Sequence, residues 1–120
     1  WITGIMKKYS NVYYSLDSDI VFLYGSRGQK DPTKEEFLAY VRKNFDSMLD
    51  EKISEWKDRI EANPDRFMWG TDRWYRWHFD NEVGGLIEEY GRAFIGRLSP
   101  SIRERFAYKN AEKLIQNAGQ

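Results

Sequence analysis

The sequence predicts an α/β fold that is mostly helical by residue count, and three observations predict it. Arg66-Phe67-Met68-Trp69-Gly70 is an apolar run of strand type that ends in glycine, and the carboxylate of Asp72 follows two residues later. Val12-Tyr13-Tyr14-Ser15-Leu16 is a second run of β-branched and aromatic residues. Long stretches between and after these runs place apolar residues every three or four positions, the period of a helix. Helix, strand, helix, strand, then helices is the alternation of a parallel arrangement. Two strands do not make a covered parallel sheet, because each has both faces to bury. Further strands are therefore expected outside these 120 residues, as a single partial domain.

The elements follow in order. Trp1 to Tyr9 carries Ile2, Ile5, Met6 and Tyr9 at helical spacing and reads as the last turns of an amphipathic helix, broken at Ser10-Asn11. The 12–16 strand ends in Asp17-Ser18-Asp19. Ile20 to Tyr24 is an apolar run compatible with strand or helix. Gly25 to Lys30 reads as a flexible connection, since its spacing is not that of a phosphate loop. Pro32 near a first turn, with Thr33 and Glu36 at capping-box spacing, starts a helix. Phe37, Val41, Phe45, Met48, Leu49, Ile53, Trp56 and Ile60 continue it as one long helix, or two joined near Asp46-Ser47. Residues 20–62 together read as an insertion or lid followed by that helix.

Asn63-Pro64-Asp65 is a turn signal ahead of the second strand. Asp80 or Asn81 caps the next helix, whose stripe is Val83, Leu86, Ile87, Tyr90, Phe94 and Leu98. Gly84, Gly85, Gly91 and Gly96 weaken it by propensity, so close packing against a neighbour is the expected reason for them. Ser99-Pro100-Ser101 stops this helix and starts the last, with Ser101 and Glu104 at capping-box spacing. Ile102, Phe106, Ala111, Leu114 and Ile115 are its expected buried side.

Composition excludes some functions. Lys plus Arg and Asp plus Glu stand at 19 each, so no overall field favours nucleic acid or an acidic membrane. Without cysteine there is no disulfide and no thiolate chemistry within this stretch, and the redox compartment stays open. No apolar run reaches the length of a membrane span and no signal peptide opens the chain. The compartment stays open, with the cytoplasm slightly favoured. Aromatics are 17% of the residues, five of them Trp, a heavy load for one small domain to bury. With Trp1 in place of a start methionine, the chain reads as an excerpt.

Strand, glycine, acid, helix is how an α/β protein presents a reactive carboxylate at the carboxyl end of a strand. Asp72 is therefore the leading candidate for a catalytic residue or metal ligand, against the ordinary alternative of a helix cap or turn aspartate. Arg73-Trp74-Tyr75-Arg76-Trp77-His78-Phe79 after it is a dense aromatic and basic loop, expected to pack over a pocket or the protein's own core.

Three stretches carry a family resemblance. Lys8 to Leu16 looks like "kyPNvyvdls", with Ser10 where Pro is usual; Asp65 to Asp72 looks like "dRilfGSD"; Tyr108 to Ile115 looks like a closing helix with "NA-x-x-L". Together and in this order they resemble the C-terminal third of the amidohydrolase-related family of metal-dependent hydrolases, which are (β/α)8 barrels. The resemblance implies that the two runs are the seventh and eighth barrel strands. It implies that Asp72 binds a divalent metal, zinc foremost, or takes a proton from the attacking water. The other family ligands, a His-x-His and two later histidines, would lie before Trp1. It further implies a small-molecule substrate: an amide, ester or lactone to hydrolyse, or an aromatic or enoic acid to decarboxylate. Whole barrels of this kind often pair into homo-oligomers. Arg73, Trp77 and His78 then face the barrel mouth as candidates to grip a carboxylate or a ring, and Asp17 and Asp19, at the end of the seventh strand, are candidates to shape the pocket, against the commoner alternative of strand-terminal turn acids. In the plainer alternative Trp74 and Trp77 pack under the final helices and His78 is a helix-entry residue, which is the expectation for Trp74.

One histidine and no cysteine cannot assemble an ordinary zinc site alone, so the isolated chain is expected to be inactive. Two other readings compete: a helical protein-interaction module that uses the aromatic segment 67–79, and a carbohydrate-binding module. The helical periodicity of most of the aromatics favours core packing over the latter.

Overall fold

The computed structural model describes residues 1–17 and 32–119. In chain order these form α1 (Ile2–Lys8), β1 (Tyr14–Asp17), α2 (Lys34–Ala62), β2 (Phe67–Gly70) and a 3-10 turn (Arg76–Phe79). Then come α3 (Asn81–Gly96), α4 (Pro100–Glu104), a π-helical turn (Arg105–Lys109) and α5 (Asn110–Ala118). The Ile20–Tyr24 run, the 25–30 connection, the lid expected there and Asp19 lie outside the described residues. The 34–62 stretch is one helix, not two.

β1 and β2 pair in parallel, Tyr14 beside Phe67, Ser15 beside Met68, Leu16 beside Trp69 and Asp17 beside Gly70. The predicted α/β class, mostly helical, is the observed one. Side chains alternate across a strand, so Tyr14, Leu16, Phe67 and Trp69 share one face, and the helices cover it. Tyr14 stacks on Trp56 of α2 at 5.5 Å, Trp69 stacks on Phe94 of α3 at 5.7 Å, and Phe106 of the π turn meets Trp69 edge-on. The opposite face carries Ser15, which is exposed, and Met68, which is half-buried. Arg66 fastens the sheet to the chain before it, donating to the carbonyls of Val12 and Tyr9 at 2.7 Å each.

Local chemistry sets the helix ends. Thr33 and Glu36 form the reciprocal capping box, each side chain accepting from the other's backbone N–H. At the far end Glu61 accepts from the Ser99 N–H at 2.7 Å, tying α2 to the turn before α4. Tyr90 and Phe45 meet edge to face between α2 and α3, and the Tyr90 hydroxyl donates to Met48 O. Close packing explains two of the four α3 glycines. A Cβ on Gly91 would stand 2.9 Å from the Trp69 ring, and one on Gly84 would stand 3.3 Å from Arg73 Nη1. Gly85 and Gly96 face open space, so packing gives no reason for them.

The last helical region departs from expectation in two ways. Ser99 is the N-cap of α4 with Pro100 in its first turn, so Ser101 lies inside the helix and the Ser101–Glu104 box does not form. The buried residues are Ile102, Phe106 and Asn110, four apart, whereas Ile115 is 73% exposed. Asn110 takes the inward position because β2 and the turn before it offer it partners: its Nδ2 donates to the carbonyls of Pro64 and Phe67 at 2.8 and 2.9 Å.

Candidate functional site

β2 stops at Gly70, and Asp72 stands two residues past its carboxyl end at φ 41°. Among the described residues it is the one non-glycine with positive φ. Aspartate tolerates this left-handed region better than most residues because its short polar side chain bonds locally. Asp72 is exposed. It caps no helix: Tyr75 precedes the 3-10 turn, and the N-cap of α3 is Asp80, whose side chain accepts from Glu82 N at 3.0 Å. The helix-cap alternative for Asp72 is thereby removed. Asp17 pairs in register with Gly70, so its backbone shares this end of the sheet.

Arg73 lies against α3. Its Nη2 is 3.7 Å from Glu88, its Nη1 occupies the space that Gly84 leaves open, and its buried Nε has no hydrogen-bond partner. Neither Glu88 nor Gly84 was legible as its neighbour from the sequence, because the pairing depends on how the loop folds back over the helix.

His78 is fully buried. Its Nδ1 accepts two backbone N–H groups, from Trp74 at 3.1 Å and Tyr75 at 3.2 Å. An imidazole nitrogen that accepts is unprotonated, so the proton is assigned to Nε2. Nε2 is buried and has no partner. Burial, foremost, and the nearby Arg73 cation hold the imidazole below its ordinary pKa, while the Asp72 charge opposes them.

Trp77 stacks flat on Tyr75 at 5.1 Å and leans on Phe37 of α2 at 5.2 Å, a packing role. His78 is likewise a helix-entry residue in the turn before α3. Trp74 reverses its expectation: it is 51% exposed, and Phe79 is 66% exposed. Of the sequence candidates, Asp72, Arg73 and His78 are brought near enough for the imidazole to feel both charges, whereas Trp77 is withdrawn into the packing. Of two surface grooves, one along Arg42, Phe45, Glu82 and Leu86 and the other along Arg76, Trp77, Phe79 and Asp80, Asp72 lines neither.

Compared with known proteins, the chain matches no family model, no curated protein and no solved structure. The amidohydrolase resemblance therefore rests on the quoted motifs alone.

A divalent ion needs several donors together. Asp72 offers one oxygen donor. His78 offers no lone pair, since Nδ1 is engaged and Nε2 carries the proton. Among the described residues no three His, Cys, Asp or Glu side chains gather as a metal site. These residues do not by themselves fit a metal. What the arrangement does provide is an exposed carboxylate at a strand end, beside an anchored arginine.

Proposed function

We propose that this chain forms one side of the active site of a hydrolase of the amidohydrolase-related kind. Asp72 is its carboxylate, and the remaining site residues come from protein beyond these 120 residues. The substrate is an amide, ester or lactone, or an aromatic or enoic acid in a decarboxylating variant of the same site. Because the residues present do not complete a metal site, the role derived for Asp72 is proton transfer: its carboxylate takes a proton from the attacking water.

One observation carries this reading. Two adjacent parallel strands have one face covered by helices and the other thinly covered, and Asp72 follows their carboxyl end in a left-handed turn. Strands of a (β/α)8 barrel have this two-sidedness, with helices outside and the packed interior within, and their chemistry sits at the carboxyl ends.

The test is the full-length protein, assayed against ester, lactone, amide and aromatic-acid panels, beside its Asp72→Asn variant. A loss of about 10² to 10⁴-fold in kcat is expected for a missing general base. An active protein whose Asp72→Asn variant keeps full activity, or one that turns over nothing in the panel, overturns the reading. The 120-residue chain alone is expected to be inactive.

A second reading is favoured by the exposure of Trp74 and Phe79, two large aromatics in one short loop. It makes the chain a protein-interaction module. A thermal melt followed by far-UV circular dichroism separates the two. A module melts cooperatively, while part of a barrel is molten or self-associates through its strand edges.

A further inference from the structure

Among the ties that hold the 71–80 loop, one has unusual chemistry. His78 spends a single lone pair on two backbone N–H groups, and its other nitrogen points at no acceptor. The imidazole sits among Phe37, Tyr75 and Trp77 rings at 6.1, 5.0 and 4.4 Å and has no exposed surface. Neutral imidazole suits this place. Imidazolium does not, because both its nitrogens donate: Nδ1–H would face two other N–H groups, and Nε2–H would still find nothing.

We propose that His78 is an acid-sensitive latch on the 71–80 loop. In its neutral form it holds Trp74 and Tyr75 down through Nδ1; protonation removes both bonds, expels the ring and frees the loop that carries Asp72 and the exposed Trp74.

The charges around the ring reinforce this. Arg73, on the loop itself, disfavours the imidazolium, and Asp72 favours it more weakly. Glu88 of α3 is engaged with Arg73. Lys34, in the first turn of α2, pairs with Asp80 at 2.9 Å and lies 3.8 Å from Glu82 of α3, which Arg42 of α2 pairs at 2.7 Å, so each of these two carboxylates has a cation of its own. Tyr75 presents its ring edge-to-face against the imidazole. Among the described residues, then, no carboxylate bonds to the ring to stabilise its charged form. Burial and Arg73 dominate, and the imidazole titrates below 6.5. The latch operates whether or not Asp72 is catalytic, since it needs one imidazole and two amides.

His78 is the single histidine of the 120 residues, which makes the test direct. Hydrogen exchange of the full-length protein, read by mass spectrometry on the peptide spanning residues 71–80, is compared at pH 7.5 and pH 5, corrected for intrinsic rates. Exchange at the imidazole C2–H of the same peptide reports the His78 titration. The latch requires the 74–75 amides to lose at least tenfold protection at pH 5, with β2 unchanged, and the C2–H midpoint to lie below 6.5. His78→Asn places a non-titrating oxygen acceptor near the Nδ1 position, and in it the pH dependence of the loop should vanish. Unchanged protection at pH 5, a midpoint at or above 6.5, or a folded His78→Asn variant with the same acid response each overturns the latch. If His78→Asn does not fold, the wild-type exchange and midpoint decide alone. Activity is not part of the readout, so failure of the hydrolase assignment leaves this result intact.

Discussion

Asp72 pays for its position with backbone strain. A left-handed conformation costs an L-residue roughly 1–2 kcal/mol, and glycine avoids that cost while losing more entropy on folding, about 0.5–1 kcal/mol. Asp72→Gly is therefore expected to raise stability by roughly 0.5–1 kcal/mol in urea denaturation while removing the proposed activity. Unchanged or lowered stability in that variant would show that the φ of 41° carries no strain. The identity of Asp72 and its place beyond a strand and a glycine were legible in the sequence. Its dihedral was not, because Thr71 and Asp72 take their angles from where the loop must go next. His78 divides in the same way. A lone histidine before a helix could be seen, but the Trp74 and Tyr75 amides that fill its Nδ1 could not, since a tight loop brings them there.

Helices and strands meet at two close approaches, and each makes a prediction. Gly91→Ala drives a Cβ to 2.9 Å from the Trp69 ring, which is itself stacked on Phe94. Overpacking of this kind costs typically 1–3 kcal/mol, expected here as a lowered urea midpoint with unchanged slope. Asn110→Ala strips the partner from the Pro64 and Phe67 carbonyls in a buried place, and a loss of about 1–3 kcal/mol is expected in the same measurement. The sequence showed that α3 is glycine-rich and that a closing helix contains Asn110. It also read the Thr33–Glu36 box correctly and the Ser101–Glu104 box wrongly, although the two have the same spacing. The difference is that Ser99 caps α4, two residues before the expected Ser101, and leaves Ser101 inside it. Capping is decided by where the helix begins, which spacing alone does not say.

For the whole molecule, acid should act in two steps. His78 has a folded pKa below its ordinary 6.5, so the unfolded chain binds its proton first. The stability this gives is complete above 6.5 and is lost as pH falls from there through the depressed value. Glu61, lowered by the Ser99 N–H, and Asp80, lowered by Lys34, act further down. Their contributions are present above the ordinary values of 4.5 and 3.8 and are lost as pH falls through the depressed ones. Urea midpoints between pH 8 and pH 3.5 are expected to be level above about 7, to fall once below 6.5 and again below about 4.5. His78→Asn should abolish the first fall and keep the second; a curve level down to pH 5 would contradict this.

The sequence by itself determined the alternation of helix and strand, the start of α2, the turn before β2 and the carboxylate after it. Each of these is set within about a dozen neighbouring residues, by hydrophobic period, by caps and by glycine or proline. Only the tertiary structure decided the parallel register of β1 and β2, the thinly covered face of their sheet and the burial of His78. It alone also decided the exposure of Trp74 and Ile115, and the choice of Asn110 as the inward residue of the last helix. Those outcomes depend on residues far apart in the chain, such as Asn110 and Phe67 or Gly91 and Trp69, and on which of them reach the limited inner surface first. Hydrophobicity says that a side chain can be buried; packing says whether there is room.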